Sequence, residues 1–220
     1  MVAARLAASA TGASLLCCAG SPAVGESAPT SHQLWPELQI QYGLTKNTDV
    51  LALANRTRDR EEHAITEVQV GVLVTHRFDE RFSVGLGYRY GFAPGSDPFE
   101  EHRFLAEQTF RFTLPWDVRL SLRTREDLRW LNEGFSLRIR ERAKIEREFR
   151  IDGYAFTPYA SAELYYDTRF DAISRGRFIV GAVFPVTPYL SLDIYGARQS
   201  DWRPRTKHVN ALGLSVVFSF

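Results

Sequence analysis

From Leu34 to the last residue, hydrophobic and polar positions alternate with period two in short runs, and no helical period of any length interrupts them. The cleanest run is RFSVGLGYRYGF, in which Phe82, Val84, Leu86, Tyr88, Tyr90 and Phe92 share one face. Ser83, Gly85, Gly87, Arg89 and Gly91 share the other. Successive side chains of a strand point to opposite sides, so this run predicts a strand with one apolar, aromatic side and one small, polar side. The pattern recurs along the chain. Leu38, Ile40 and Tyr42 oppose Glu37, Gln39 and Gln41, and Val68 to Val74 oppose Glu67 and Gln69. Phe104, Phe110 and Phe112 oppose Arg103, Glu107 and Arg111, and Leu120 and Leu122 oppose Arg119 and Arg123. Leu137 and Ile139 oppose Arg138, Arg140 and Arg142, Leu164 opposes Glu163, and Phe178 and Val180 oppose Arg177. Leu190, Leu192 and Ile194 oppose Asp193, and Leu212, Leu214, Val216, Phe218 and Phe220 end the chain.

Turn residues separate these runs. DER at 79–81, LPWD at 114–117 and FPVTP at 184–188 read as tight connections, whereas 92–100 and the stretch around 200–206 are longer and rich in Pro, Gly, Asp and Ser. Tight and long connections alternating along an all-β chain predict an antiparallel up-and-down transmembrane β-barrel, with short periplasmic turns and longer external loops. About eleven candidate strands can be counted. Because single-chain bacterial barrels have an even number, the expectation is twelve, with ten as the alternative. A soluble periplasmic β-sandwich binding protein is the competing reading, since it too buries one face of each strand. The closing aromatic strand favours the barrel: Phe218 and Phe220 have the form of a signal read by the barrel-assembly machinery.

Composition changes this picture little. The 220 residues carry a net charge of +1, which argues against nucleic acid as a partner. No stretch after the first thirty residues is apolar enough for a spanning helix of about 20 residues, and strands need none. The N-terminus is more informative. Arg5, the alanine-rich stretch Leu6 to Ala19 and the small residues after it read as a secretory signal over 1–25, followed by a flexible leader at 26–33 and the barrel at 34–220. Cys17 and Cys18 fall inside the signal, and Leu16 before Cys17 disfavours lipidation. A mature chain without cysteine has no disulfide and no thiolate chemistry.

Several segments, taken in order, resemble the "domain of unknown function 2490" family of Gram-negative outer-membrane proteins. They are GYRYGF at 87–92, EHRF at 101–104, RTREDLR at 123–129, LRIRER at 137–142, SAEL at 161–164, RGRFIVG at 175–181 and the closing LSVVFSF. Asp127 takes the place of a glutamate usual in the family's arginine strand. The resemblance implies a barrel in the outer membrane and no established activity.

The candidate chemistry is electrostatic. Arg119, Arg123, Arg125, Asp127 and Arg129 alternate on one strand and Arg138, Arg140, Arg142 and Lys144 on the next, joined by the short WLNEG connection. Paired, they project nine charges, eight of them positive, into one sector of a narrow lumen. Like charges a few Å apart repel by about 1 kcal/mol even in water, so acids must answer them. Glu107, Glu163, Asp193, Glu101 and Glu37 have the required facing, and Arg103 and Arg177 extend the set. Either the ion pairs fill and stiffen the barrel, or they form a basic eyelet for small anions such as phosphate or sugar acids. A rim-site lipid-modifying hydrolase is a further alternative. No Ser–His–acid set falls convincingly on one face, so no catalytic residue is assigned. His102 and His208 fall on the apolar side near external strand ends. No metal-ligand spacing is present and no cofactor is expected. Trp35, Trp116, Trp130 and Trp202 fall near strand ends, as interfacial girdles against membrane lipid require.

Overall fold

The alternation becomes a wall with two unlike faces. In the computed structural model, which describes residues 28–61, 64–94, 98–132 and 134–220, the strands are β1 (Thr30–Thr45), β2 (Thr48–Asp59), β3 (Ile65–Arg77), β4 (Phe82–Ala93), β5 (Phe99–Leu114) and β6 (Val118–Leu131). They continue as β7 (Gly134–Glu146), β8 (Phe149–Ile151), β9 (Tyr154–Asp167), β10 (Ala172–Thr187), β11 (Leu190–Asp201) and β12 (Lys207–Ser219). The expected signal peptide, both cysteines and the first residues of the expected leader lie outside the described residues. From Thr30 onward that leader is strand: β1 begins there rather than at Leu34.

Neighbours in sequence pair antiparallel from β1 to β7 and from β9 to β12, with β9 also pairing β7. β12 then pairs β1 and closes the sheet. A closed single sheet rules out the two-layer sandwich. β8 pairs only the start of β9, as an extension of that hairpin. The sheet thus has twelve strands, and eleven of them form the wall. An odd wall of up-and-down strands must close on a parallel pair, and β1 runs parallel to β12 from Thr30↔His208 to Gln41↔Ser219. The even-number rule fails here for that reason. One consequence is that β1 starts, and β12 finishes, at opposite ends of the barrel.

The two ends differ. The end carrying Phe220 has the tight connections, at 46–47, 78–81, 115–117, 152–153 and 188–189. The turn at 152–153 has Asp152 at φ 50° and Gly153 at φ 84°, the left-handed pair that an Asp-Gly hairpin supplies. The turn expected at 184–188 is displaced: Phe184 to Thr187 continue β10, with a bulge between Pro185 and Thr187, and the chain reverses at 188–189. Apart from the two-residue link between β6 and β7, connections of four or five residues gather at the other end, the loop end. The outer face is apolar along most of every wall strand, with Leu38, Ile40, Val72, Leu86, Phe104, Leu122, Phe178, Val180, Ile194 and Leu214 all exposed.

Candidate functional site: the charged interior

The inward face is the reverse of the outer one. Glu101, Arg103, Arg123, Arg125, Asp127, Arg129, Glu163 and Asp167 are all buried there. Register explains their convergence. Arg125 lies directly opposite Glu107 on β5 and Arg140 on β7, Arg140 opposite Tyr165 on β9, and Arg142 opposite Glu163.

Three groups of contacts can be followed along the interior. Near the loop end, Glu101 receives Arg103 at 2.9 and 3.0 Å and Arg129 beside it. Asp167, fully buried, is gripped by Arg129 at 3.1 Å, Arg138 at 2.9 Å and Arg169 at 3.0 Å. Halfway along, Glu163 accepts from Arg123 at 2.8 Å, Arg140 at 3.0 Å and the Tyr165 hydroxyl at 2.6 Å. Glu107 accepts from Arg125 at 2.5 and 2.9 Å and faces Arg123 at 3.7 Å. At the tight-turn end Glu146 joins Arg119 at 3.3 Å and Lys144 at 2.5 Å. Guanidinium forks suit this sharing, because one carboxylate can be held by several planar donors at once.

Some expected members have other partners. Asp193 accepts from the Tyr159 hydroxyl at 2.9 and 3.0 Å rather than from an arginine. Arg177 donates to the amide oxygen of Gln199 at 2.6 and 3.0 Å and lies 4.7 Å from the Trp35 ring centre. Trp35 is therefore an interior side chain, not part of an outer girdle. Its inward facing follows from register with Gly213 of β12, within the row that continues at Glu37. Trp116 stands exposed in the 115–117 turn, Trp130 packs outside against Phe104 and Phe135, and Trp202 covers Gly176 from outside. Phe218 faces outward on β12. The backbone of Phe220 bonds to Gly43 and Gln41 of β1 and its ring stacks on Tyr189. His102 and His208 both face outward, bonded to Tyr88 at 2.6 Å and Ser200 at 3.0 Å. Beside the wall, Glu61 in the β2–β3 loop accepts the backbone N–H of His32 at 3.1 Å and meets its imidazole at 2.6 Å, and these contacts pull its carboxyl down to about 2.

Sequence reasoning missed Asp167, Glu146, Tyr165 and Arg89. The first three were visible as continuations of the period-two rows through Glu163 and Lys144. Arg89 was assigned to the polar face, but nothing local to β4 marks its role. It extends over Gly71 of β3, where an added Cβ would come within 2.6 Å of its Cγ and 2.8 Å of the Tyr88 carbonyl oxygen. The charges acting on it are those of Arg125, Arg103 and Arg140, with Glu37 opposing them. Arg89 and Arg142 form no ion pair among the described residues, and Arg142 Nε is buried with no hydrogen-bond partner there. Both line a cavity of about 1090 Å3 whose other wall carries Gln33, Glu37, Gln39, Asn55, Glu67 and Gln69. Gly71→Ala should lower stability by about 1–3 kcal/mol through overpacking and swing Arg89 aside, which a urea midpoint together with a structure of the variant checks.

A family model for proteins of unknown function, DUF2490, matches residues 32–210, from β1 into β12. The chain belongs to the DUF2490 family. The match spans every strand that contributes a charge to the interior, so the network lies wholly within the family's common region. No functionally curated protein is matched. Within this DUF2490 barrel, Asp127 stands at the centre of the arginines. It is fully buried, its nearest cation is Arg140 at 3.7 Å, and its two carboxylate oxygens accept no hydrogen bond among the described residues.

Proposed function

We propose that this DUF2490 protein is a β-barrel of the outer membrane whose ion-paired interior stiffens the wall and offers a basic surface to small anions. The observation that carries this reading is the contrast between faces. The apolar belt runs around the outside and the charges are confined mainly to the inside, the reverse of a water-soluble barrel with a hydrophobic core. Supporting it, exposed Trp116 stands at one end of the wall and Trp130 and Trp202 toward the other, the positions of headgroup-level anchors. With Phe220 and the tight turns on the periplasmic side, the longer connections face outward. On this reading the partners are membrane lipid and the barrel-assembly machinery, and the role is not enzymatic.

The anion part rests on Arg89 and Arg142, guanidinium groups that line the cavity without a carboxylate of their own. Small phosphates or sugar acids suit such donors, because a planar fork binds an oxyanion in two places. The test has two steps. The full chain should partition into the outer-membrane fraction and migrate faster unheated than boiled, since a closed wall satisfies every backbone group internally. Recovery as a soluble periplasmic protein overturns the location. In planar bilayers the purified barrel should pass chloride in preference to potassium, and an Arg89→Gln, Arg142→Gln variant should lose that preference. A non-conducting barrel would leave the stiffening role and remove the anion role.

A further inference from the structure

The interior cavity is lined by uncompensated charge of both signs. Arg89 of β4 and Arg142 of β7 face it without a carboxylate of their own. Glu37 of β1 and Asp193 of β11 face it too, and neither forms an ion pair among the described residues. Neutral donors hold both acids. Asn55 donates to one oxygen of Glu37 at 3.0 Å and Gln39 to the other. The Tyr159 hydroxyl donates to Asp193 at 2.9 and 3.0 Å. Such donors fix a carboxylate in place and leave its charge standing. Lys144, the cation that acts on Asp193, is itself bonded to Glu146.

The two sets belong to one part of the cavity. Glu37 acts electrostatically on Arg89 and on Asp193 and Tyr195, and Arg142 acts on Tyr159, the phenol that holds Asp193. Neither arginine reaches Glu37 or Asp193 to close an ion pair, so each sign stays on its own wall. The acidic wall is also kept clear. Gly213 of β12 has no side chain, and the Tyr195 ring lies in that space, where an added Cβ would come within 2.0 Å of it.

A pure anion drawn to the arginines is repelled by the uncompensated carboxylates. A solute with poles of both signs is attracted at each end, and the acids then discriminate against its plain anionic analogue. We propose that this cavity binds small dipolar solutes, carboxylates or phosphates that also carry an ammonium group. The anionic end lies on Arg89 and Arg142 and the ammonium on Glu37 and Asp193. The inference rests on the anion reading of the two arginines and adds the second pole. A guanidinium fork takes an oxyanion in two places, and an ammonium, with three donors and no acceptor, suits carboxylates that still have free lone pairs.

The test is isothermal titration calorimetry on the full chain, folded in detergent at low salt, which requires no open pore. The probes are 4-aminobutyrate and 6-aminohexanoate, each against the plain acid of the same length, butyrate and hexanoate. At least one amino acid should bind about tenfold tighter than its plain acid. Glu37→Gln combined with Asp193→Asn should abolish that preference and leave the plain acids bound as well or better. Arg89→Gln combined with Arg142→Gln should weaken every probe that binds. Plain acids bound as tightly as the amino acids by the unaltered chain overturn the dipolar assignment and leave the anion reading standing. A preference that survives loss of both acids also overturns the assignment, because the second pole then lies elsewhere. No binding of any of the four probes overturns both readings. The comparison of probes on the unaltered chain decides the matter even where a variant fails to fold.

Discussion

Glu163→Gln is expected to destabilise the barrel by about 3–5 kcal/mol, the cost of removing one partner from a buried ion pair. The carboxylate is buried and holds two guanidinium groups and one phenol at once. Glutamine keeps the shape but removes the charge, so Arg123 and Arg140 are left facing each other and Arg125 in a sector already rich in cations. The partner for a double-mutant cycle follows from the contacts. Arg140→Gln should recover part of the loss, because the second change removes one of the stranded charges. Arg125→Gln should not, because Arg125 is bound to Glu107 and its loss strands that carboxylate instead. The urea midpoint of the folded band reports both. An additive cycle for Glu163 and Arg140 would mean that water screens the pair and that the interior is more open than its contacts imply.

How far such partners could be read from the sequence depends on what period two encodes. It encodes facing, and most of the inward and outward assignments along β4 to β7 follow from it directly. Pairing distance is another matter. Arg125 lies opposite Glu107 through the register of β5 and β6, but Glu163 lies opposite Arg142 and still goes to Arg140 and Arg123, which the folded interior decides and the alternation does not. The alternation also has blind spots. Thr48–Asp59 carries Leu51 and Leu53 inward, and Leu53 is buried, so both faces of β2 are apolar and the periodic signal fades. Trp35 misleads for the opposite reason. Its apolar ring suggests the outer face, yet its indole N–H donates to Gln33 at 2.9 Å on the inner one. The parallel closure is consistent with the count of about eleven candidate strands: counting back eleven from a last strand that ends at the tight-turn end makes the first begin at the loop end, where Thr30 stands. A rule about even numbers outweighed the count.

The neighbouring residues Leu38 and Gln39 give a direct test of which face meets lipid. Leu38→Arg should cost about 2–4 kcal/mol, the penalty for arginine near the middle of a hydrocarbon layer. Leu38 is 44% exposed and midway along β1, with Ile40 and Leu214 beside it on the same face. Gln39→Arg places the same side chain one residue further, and there the cost should be close to nil. Gln39 points inward and donates to the carboxylate of Glu37, so an arginine would gain an ion pair beside water in the cavity. Both variants keep backbone pairing with β12 and β2, which leaves the environment of the side chain as the difference between them. The measurement is the folded, heat-modifiable fraction in outer membranes and its urea midpoint. A barrel surrounded by water predicts that both variants are tolerated, because an arginine at an exposed position in water is harmless. If Leu38→Arg is tolerated, the outer face meets water, and the membrane location is lost.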